Sequence, residues 1–240
     1  MLACYLTNAP VKSRETLEEL VPDIRPLLDS GRILPPDNSR PQIVKTHFLP
    51  DVEVMQPYRP HTRKILYLVR NPRDVIISST RLLEISDAQK GAFAKSFIAN
   101  RGVPLFQQRA WGKWPQHVLA WTSPANVQKY FPHAKVLIVR YEDLRSDPVG
   151  RLQDILGFLD LGAPVDPARV QTAVESSSLK KMRAVQEIEG NRGLGAFHIG
   201  DGLRGQSLTV LGQDVEEAYQ RLLQEDTDFL RCAQQFGYGG

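Results

Sequence analysis

Two groups of residues in this chain have the types and spacing to do chemistry. The first lies in Lys64-Ile65-Leu66-Tyr67-Leu68-Val69-Arg70-Asn71-Pro72-Arg73-Asp74-Val75-Ile76-Ile77-Ser78, an apolar run that ends in an arginine and passes into helix-start residues. Ile65 to Val69 has the length and branching of a strand covered on both faces. Asn71 suits the cap of the next helix, Pro72 its first position and Asp74 its first turn. Arg70 is thereby delivered to the strand's C-terminal edge, where open α/β sheets bind ligands and where free helix N–H groups favour a phosphate. Ser78 follows two helical turns after the cap, so an arginine and a hydroxyl can grip one phosphate together. The second group lies in Ile43-Val44-Lys45-Thr46-His47-Phe48-Leu49-Pro50. Read as a strand, the segment puts Lys45 and His47 on one face and Thr46 on the other. A cation and a proton acceptor then converge, and an imidazole with an ordinary pKa of about 6.5 can take a hydroxyl proton near neutral pH.

Arg70-x-Pro72-x-Asp74-x-x-x-Ser78 resembles the 3′-phosphate-binding segment of sulfotransferases that use 3′-phosphoadenosine 5′-phosphosulfate (PAPS), and Ile43 to Pro50 resembles that family's catalytic strand and following loop. The resemblance implies that Arg70 and Ser78 bind the nucleotide, that His47 acts as general base toward an acceptor hydroxyl, and that Lys45 stabilises charge on the leaving phosphate. Sulfuryl transfer is like phosphoryl transfer, an in-line displacement in which positioning and charge stabilisation carry most of the catalysis. Val136-Leu137-Ile138-Val139-Arg140-Tyr141-Glu142-Asp143-Leu144 resembles the family's strand ending in Tyr-Glu-Asp-Leu. That places Tyr141 close to the adenine, with Glu142 and Asp143 as helix-start residues favoured by the helix dipole. The late segment Gly200-Asp201-Gly202-Leu203-Arg204-Gly205-Gln206-Ser207-Leu208 corresponds to a glycine-rich loop that folds over the nucleotide. Gly202, Arg204 and Gly205 are its candidate binding residues, because glycine lets backbone N–H groups approach a phosphate closely. The family's Arg-Lys-Gly run and following tryptophan are missing, and a plain surface loop explains this stretch equally well.

The largest departure is at the N-terminus. Family members begin with a strand and a loop of the type Tyr-Pro-Lys-x-Gly-x-Thr-Trp that wraps the 5′-phosphosulfate, whereas this chain opens with Met1-Leu2-Ala3-Cys4-Tyr5-Leu6, similar to the helix after that loop. A start placed too far downstream is a simpler account than a lesion leaving a binding remnant, and the chain as given is expected to be poorly active. The expected fold is a single α/β domain over residues 1–240, with a central parallel sheet flanked by helices in the P-loop-NTPase-like sulfotransferase arrangement, lacking its first strand and phosphosulfate loop. Phe97-Ile98-Ala99-Asn100, Trp114-Pro115, Phe158-Leu159-Asp160-Leu161-Gly162 and Gln206-Ser207-Leu208 are most similar to the bacterial sulfotransferases that decorate glycopeptide antibiotics. The implied co-substrate is PAPS, without a metal, and the implied partner is a small-molecule hydroxyl acceptor, phenolic or glycopeptide; a homodimer stays open. Two alternatives remain, a non-catalytic nucleotide-binding protein and a nucleotide-dependent kinase. The second is disfavoured because the chain has no Gly-x-x-x-x-Gly-Lys-Ser/Thr loop.

The elements that must position these residues follow from composition and period. At 240 residues with 42% hydrophobic content the chain can bury one substantial core. A formal charge of +3 spread along the chain does not indicate nucleic-acid binding. Two cysteines, Cys4 and Cys232, are too few for a disulfide framework and fit a reducing compartment. No apolar run reaches the roughly 18 residues of a membrane span, so a cytoplasmic protein is expected. Helices are expected over Thr16 to Asp29, shortened or kinked by Pro22 and Pro26, and over Pro115 to Tyr130, Val149 to Leu161, Pro167 to Ser176, Leu179 to Glu187 and Val215 to Phe236. Arg32 to Gln42 reads as a proline-containing connection, and Arg81 to Arg109 as an irregular, substrate-facing insertion. Trp111, beside Gly112, reads as a stacking platform for an aromatic acceptor, and Trp121 as a core residue.

Overall fold

Asn71 does start the helix that leaves the central strand. Its side chain accepts from the Arg73 N–H at 2.9 Å, Pro72 takes the first helical position, and Asp74 sits in the first turn. The computed structural model describes residues 1–25, 41–189 and 204–239. In chain order these form α1 (Leu2–Thr7), α2 (Arg14–Leu20), a 3₁₀ turn (Glu53–Tyr58), β1 (Lys64–Val69), α3 (Pro72–Leu82), α4 (Asp87–Asn100), α5 (Pro104–Gln108), α6 (Trp114–Thr122) and α7 (Pro124–Tyr130). They continue as β2 (Lys135–Arg140), α8 (Tyr141–Ser146), α9 (Pro148–Leu159), α10 (Pro167–Ser176), α11 (Leu179–Glu189), a second 3₁₀ turn (Leu208–Leu211), α12 (Gln213–Glu225) and α13 (Thr227–Gln234).

The architecture is α/β, a parallel sheet flanked by helices. β1 and β2 pair in parallel with Lys64 opposite Lys135 and Val69 opposite Arg140, so Arg70 and Tyr141 emerge side by side at the C-terminal ends of neighbouring strands. Ile65, Tyr67 and Val69 point into the main core with Ile76, Phe97, Val118, Trp121, Phe131, Tyr219 and Phe229. A smaller cluster joins Cys4 and Tyr5 of α1 to Leu152 and Leu156 of α9 and Val170 and Ala173 of α10. The expectation of a strand buried on both faces is not met for β1. Leu66 and Leu68 are 37% and 52% exposed, because no described element covers that part of the opposite face.

Other boundaries moved for local reasons. Pro115 to Tyr130 is two helices, because Pro124 opens a new one and Ser123 is extended at φ −67, ψ 126. Val215 to Phe236 likewise divides at Asp226, whose carboxylate caps α13 by accepting the Phe229 N–H at 2.9 Å. The stretch Arg81 to Arg109, expected to be irregular, is mostly α4 and α5, with Ala94, Phe97 and Ile98 buried. Ile43 to Phe48 is not a strand: Lys45 alone makes a parallel bridge to Asp23, through Lys45 N–H to the Pro22 carbonyl at 2.8 Å and Ile24 N–H to the Lys45 carbonyl at 2.9 Å. A single bridge cannot propagate a ladder, and neighbouring side chains hold the rest of the segment instead. The Arg32 to Gln42 connection falls almost wholly, and Gly202 entirely, outside the described residues. No described helix is long and apolar enough to cross a membrane.

Candidate functional site

Two strand ends build the anion side of the site. The Arg70 guanidinium lies over the Tyr141 ring, 4.5 Å from its centroid, so the cation and the aromatic surface form one wall. Glu142 ties the two ends together: one carboxylate oxygen accepts the Asn71 N–H at 3.0 Å and the other the Tyr238 hydroxyl at 2.5 Å. Asp74, 1% exposed, accepts the Gly205 N–H at 3.0 Å and the Gln206 N–H at 3.3 Å, which pins the late loop across the start of α3. Arg204 donates to the Glu142 carbonyl at 2.8 Å with one of its five N–H donors, beside Tyr141. The loop's far end is fixed through Glu216, which accepts from the Leu208 N–H at 3.0 Å and pairs with Arg73 at 2.6 Å. Burial pushes the Glu216 carboxyl up, but hydrogen bonds from Arg73 and Gln220 outweigh that and hold it below the usual carboxylate range.

Arg70, Tyr141, Arg204 and Gly205 are therefore brought together. The Gly205 N–H is already engaged by Asp74, so in this arrangement it is not presented to a phosphate; the glycine is needed instead for its φ of +67. Ser78 is half-buried on α3, one turn beyond Asp74 and on the same helix face, the face that carries the late loop.

The second group assembles around Trp111. The His47 ring stacks on the Trp111 indole with centroids 4.6 Å apart, Phe106 lies 4.7 Å from the same indole, and the Arg25 guanidinium sits 5.7 Å from it. Lys45 makes an ion pair with Asp23 at 2.7 Å and its side chain is 53% exposed. Exposed pairs of this kind contribute about 0–1 kcal/mol, so Lys45 can exchange Asp23 for a phosphate oxygen at small cost. Trp121 is core, as expected, at 5% exposure. Among the described residues no group of three or more His, Cys, Asp or Glu could hold a metal ion.

Desolvation, followed by the Lys45 charge and, more weakly, Arg25, pushes His47 down to about 4 against an opposing pull from Asp23. His117 is pushed down to about 4 by desolvation first and by His47 second, against a backbone hydrogen bond to His47 that raises it. Both imidazoles are thus neutral at pH 7. Their folded pKa values lie below the unfolded value of about 6.5, so the unfolded chain takes up more protons between about pH 6.5 and about pH 4. Stability is expected to fall as pH drops through that window, with His117 contributing most of the effect because the His47 side chain is exposed. Melting temperature measured across it is the check, and a flat profile would show that both rings protonate freely in the native state.

Sequence reasoning missed Asp74 and Glu142 as loop and strand ties, and missed His117 and Tyr67 altogether. The Tyr67 hydroxyl lies 2.9 Å from His117 Nδ1, and His117 Nε2 lies 3.2 Å from the His47 carbonyl oxygen. The alternation of β1 does aim Tyr67 inward with Ile65 and Val69; nothing local marks His117 as its partner.

A family model described as a sulfotransferase domain matches residues 28–190. Rat sulfotransferase 2A6 is 29% identical over 126 residues, covering 50% of this chain and 39% of its own length. Mouse sulfotransferase 1A1 is 29% identical over 178 residues, covering 73% and 56%. Rat sulfotransferase 2A1 is 30% identical over 125 residues, covering 50% and 39%. The match thus spans about half or less of these relatives' own length. Among solved structures, mouse sulfotransferase SULT7A1 complexed with PAP superimposes with a TM-score of 0.57 at 21% identity, over 83% of this chain and 70% of that one, and shares the fold. With the family model matching well over half of its residues, this chain belongs to the sulfotransferase domain family.

Proposed function

We propose that the chain moves a sulfuryl group from PAPS to a hydroxyl of a small-molecule acceptor. The observation that carries this reading is the wall formed by Arg70 and Tyr141, 4.5 Å apart at the ends of adjacent parallel strands, with Arg204 held beside it. A guanidinium, a phenol ring and a second guanidinium suit a phosphorylated adenosine: Arg70 and Ser78 would hold its 3′-phosphate, with Tyr141 near the base. The mouse structure of the same fold is a complex with PAP, which supports the same nucleotide here. Bound PAPS would supply the sulfuryl group. His47, neutral at pH 7, would take the acceptor's hydroxyl proton, and Lys45 would stabilise negative charge at the leaving phosphate oxygen. A polyanion bound beside Lys45 also favours the imidazolium that this step creates. The Trp111 and Phe106 rings next to His47 support an aromatic acceptor, phenolic or a glycopeptide natural product. The proposal needs no metal.

The loop that would wrap the 5′-phosphosulfate is not among the motifs of this chain. Among the described residues the sheet has two strands, with Leu66 and Leu68 exposed on one of them. Nucleotide binding without turnover in any form would leave a binding protein in place of an enzyme.

A further inference from the structure

His47 needs something to hold it, because among the described residues its segment has no sheet ladder beyond the single bridge at Lys45. Helix α6 provides two hydrogen bonds to consecutive carbonyls of that segment. His117 Nε2 lies 3.2 Å from the His47 carbonyl oxygen, and Trp121 Nε1 donates to the Phe48 carbonyl at 3.0 Å. His117 and Trp121 are four residues apart, on one face of the helix. A carbonyl only accepts, so Nε2 must carry the His117 proton. In a neutral ring Nδ1 then has a lone pair, and it meets the Tyr67 hydroxyl at 2.9 Å. Burial keeps this ring neutral, pushing it down to about 4, and pushes the Tyr67 hydroxyl up, so that it stays a donor.

We infer that His117 is a positioning residue for the His47 base, linking the His47 backbone through its own ring to Tyr67 on β1, three residues before Arg70. The inference rests on the reading of His47 as general base. Through this chain of bonds the base is registered against the same strand that carries the nucleotide-binding arginine, so acceptor and nucleotide are held by one rigid element. A misplacement of about 1 Å at a reacting group can cost up to roughly 10²-fold in rate, which is what such a link guards against.

The test compares His117→Phe, which keeps a ring but removes both hydrogen bonds, with His117→Gln, whose amide can donate to the His47 carbonyl and accept from Tyr67. His117→Phe is expected to lower kcat between about tenfold and a hundredfold while adenosine 3′,5′-bisphosphate affinity stays within about twofold, and His117→Gln to recover most of the loss. Equal losses in the two variants, or none in His117→Phe while His47→Ala is damaging, overturn the inference alone. Turnover surviving His47→Ala overturns instead the reading of His47 as base. A ring-nitrogen NMR spectrum of the native chain keeps the question open to measurement even where His117→Phe does not fold. It should show His117 neutral with its proton on Nε2; a proton on Nδ1 is incompatible with the link.

Discussion

Replacing His47 with alanine is expected to lower the turnover number for sulfuryl transfer by roughly 10²-fold or more, the usual contribution of a positioned general base. Nucleotide affinity should stay nearly unchanged, because His47 stacks on Trp111 and belongs to the Lys45 and Asp23 group, whereas the nucleotide wall is Arg70 and Tyr141 at the strand ends. A loss in kcat with little change in binding is what distinguishes an interaction made in the transition state from one made in the ground state. The lowered pKa of His47 adds a second expectation. Its imidazole is held below the ordinary histidine range, first by desolvation and then by the Lys45 charge, but the exposed ring feels this less than a buried one, so activity should decline less between pH 7 and pH 6 than protonation of a free imidazole would impose. A parallel fall of binding and turnover in His47→Ala would make His47 a structural or nucleotide-contacting residue.

Arg70→Ala is expected to remove most of the preference for adenosine 3′,5′-bisphosphate over 5′-AMP, at a cost of about 1.5–3 kcal/mol for one charge-assisted contact, or roughly 10- to 150-fold in Kd. The side chain follows the last residue of β1 directly and is stacked on Tyr141, so its approach to a ligand is preset by two strands and a ring. Arg70→Lys should recover only part of the preference, since an ammonium keeps the charge but loses both the planar stacking and the two-pronged contact with phosphate. Binding of 5′-AMP should change little in either variant, and titration calorimetry with both nucleotides measures all four affinities.

The parts legible in the sequence are those fixed by local chemistry. At the β1 to α3 corner the strand, the cap and the helix start could be read, though not the exposure of Leu66 and Leu68, because a strand's apolar run, an Asn cap and a Pro at the first helical position act within a few residues. Tyr141, directly after β2, is marked by the resemblance to the family's Tyr-Glu-Asp-Leu strand end and not by local capping, since its helix has no side-chain cap. Asp74 was readable only as a first-turn acid; its partners, the Gly205 and Gln206 N–H groups, lie 131 and 132 residues away. Glu142 bonds to Asn71 and Tyr238, 71 and 96 residues distant, and no periodicity announces such a tie. Alternation puts Lys45 and His47 on a strand, but a strand also needs a neighbour to pair with, and among the described residues Asp23 alone pairs with this segment. Their proximity held all the same, since the Lys45 charge acts on the His47 ring.

The most direct measurement is calorimetric titration of the native chain with adenosine 3′,5′-bisphosphate and, separately, with 5′-AMP. Tighter binding of the bisphosphate, by the roughly 10- to 150-fold assigned to Arg70, is the result this account predicts. Equal affinity for the two nucleotides would contradict it, because the paired strand ends would then not read a 3′-phosphate.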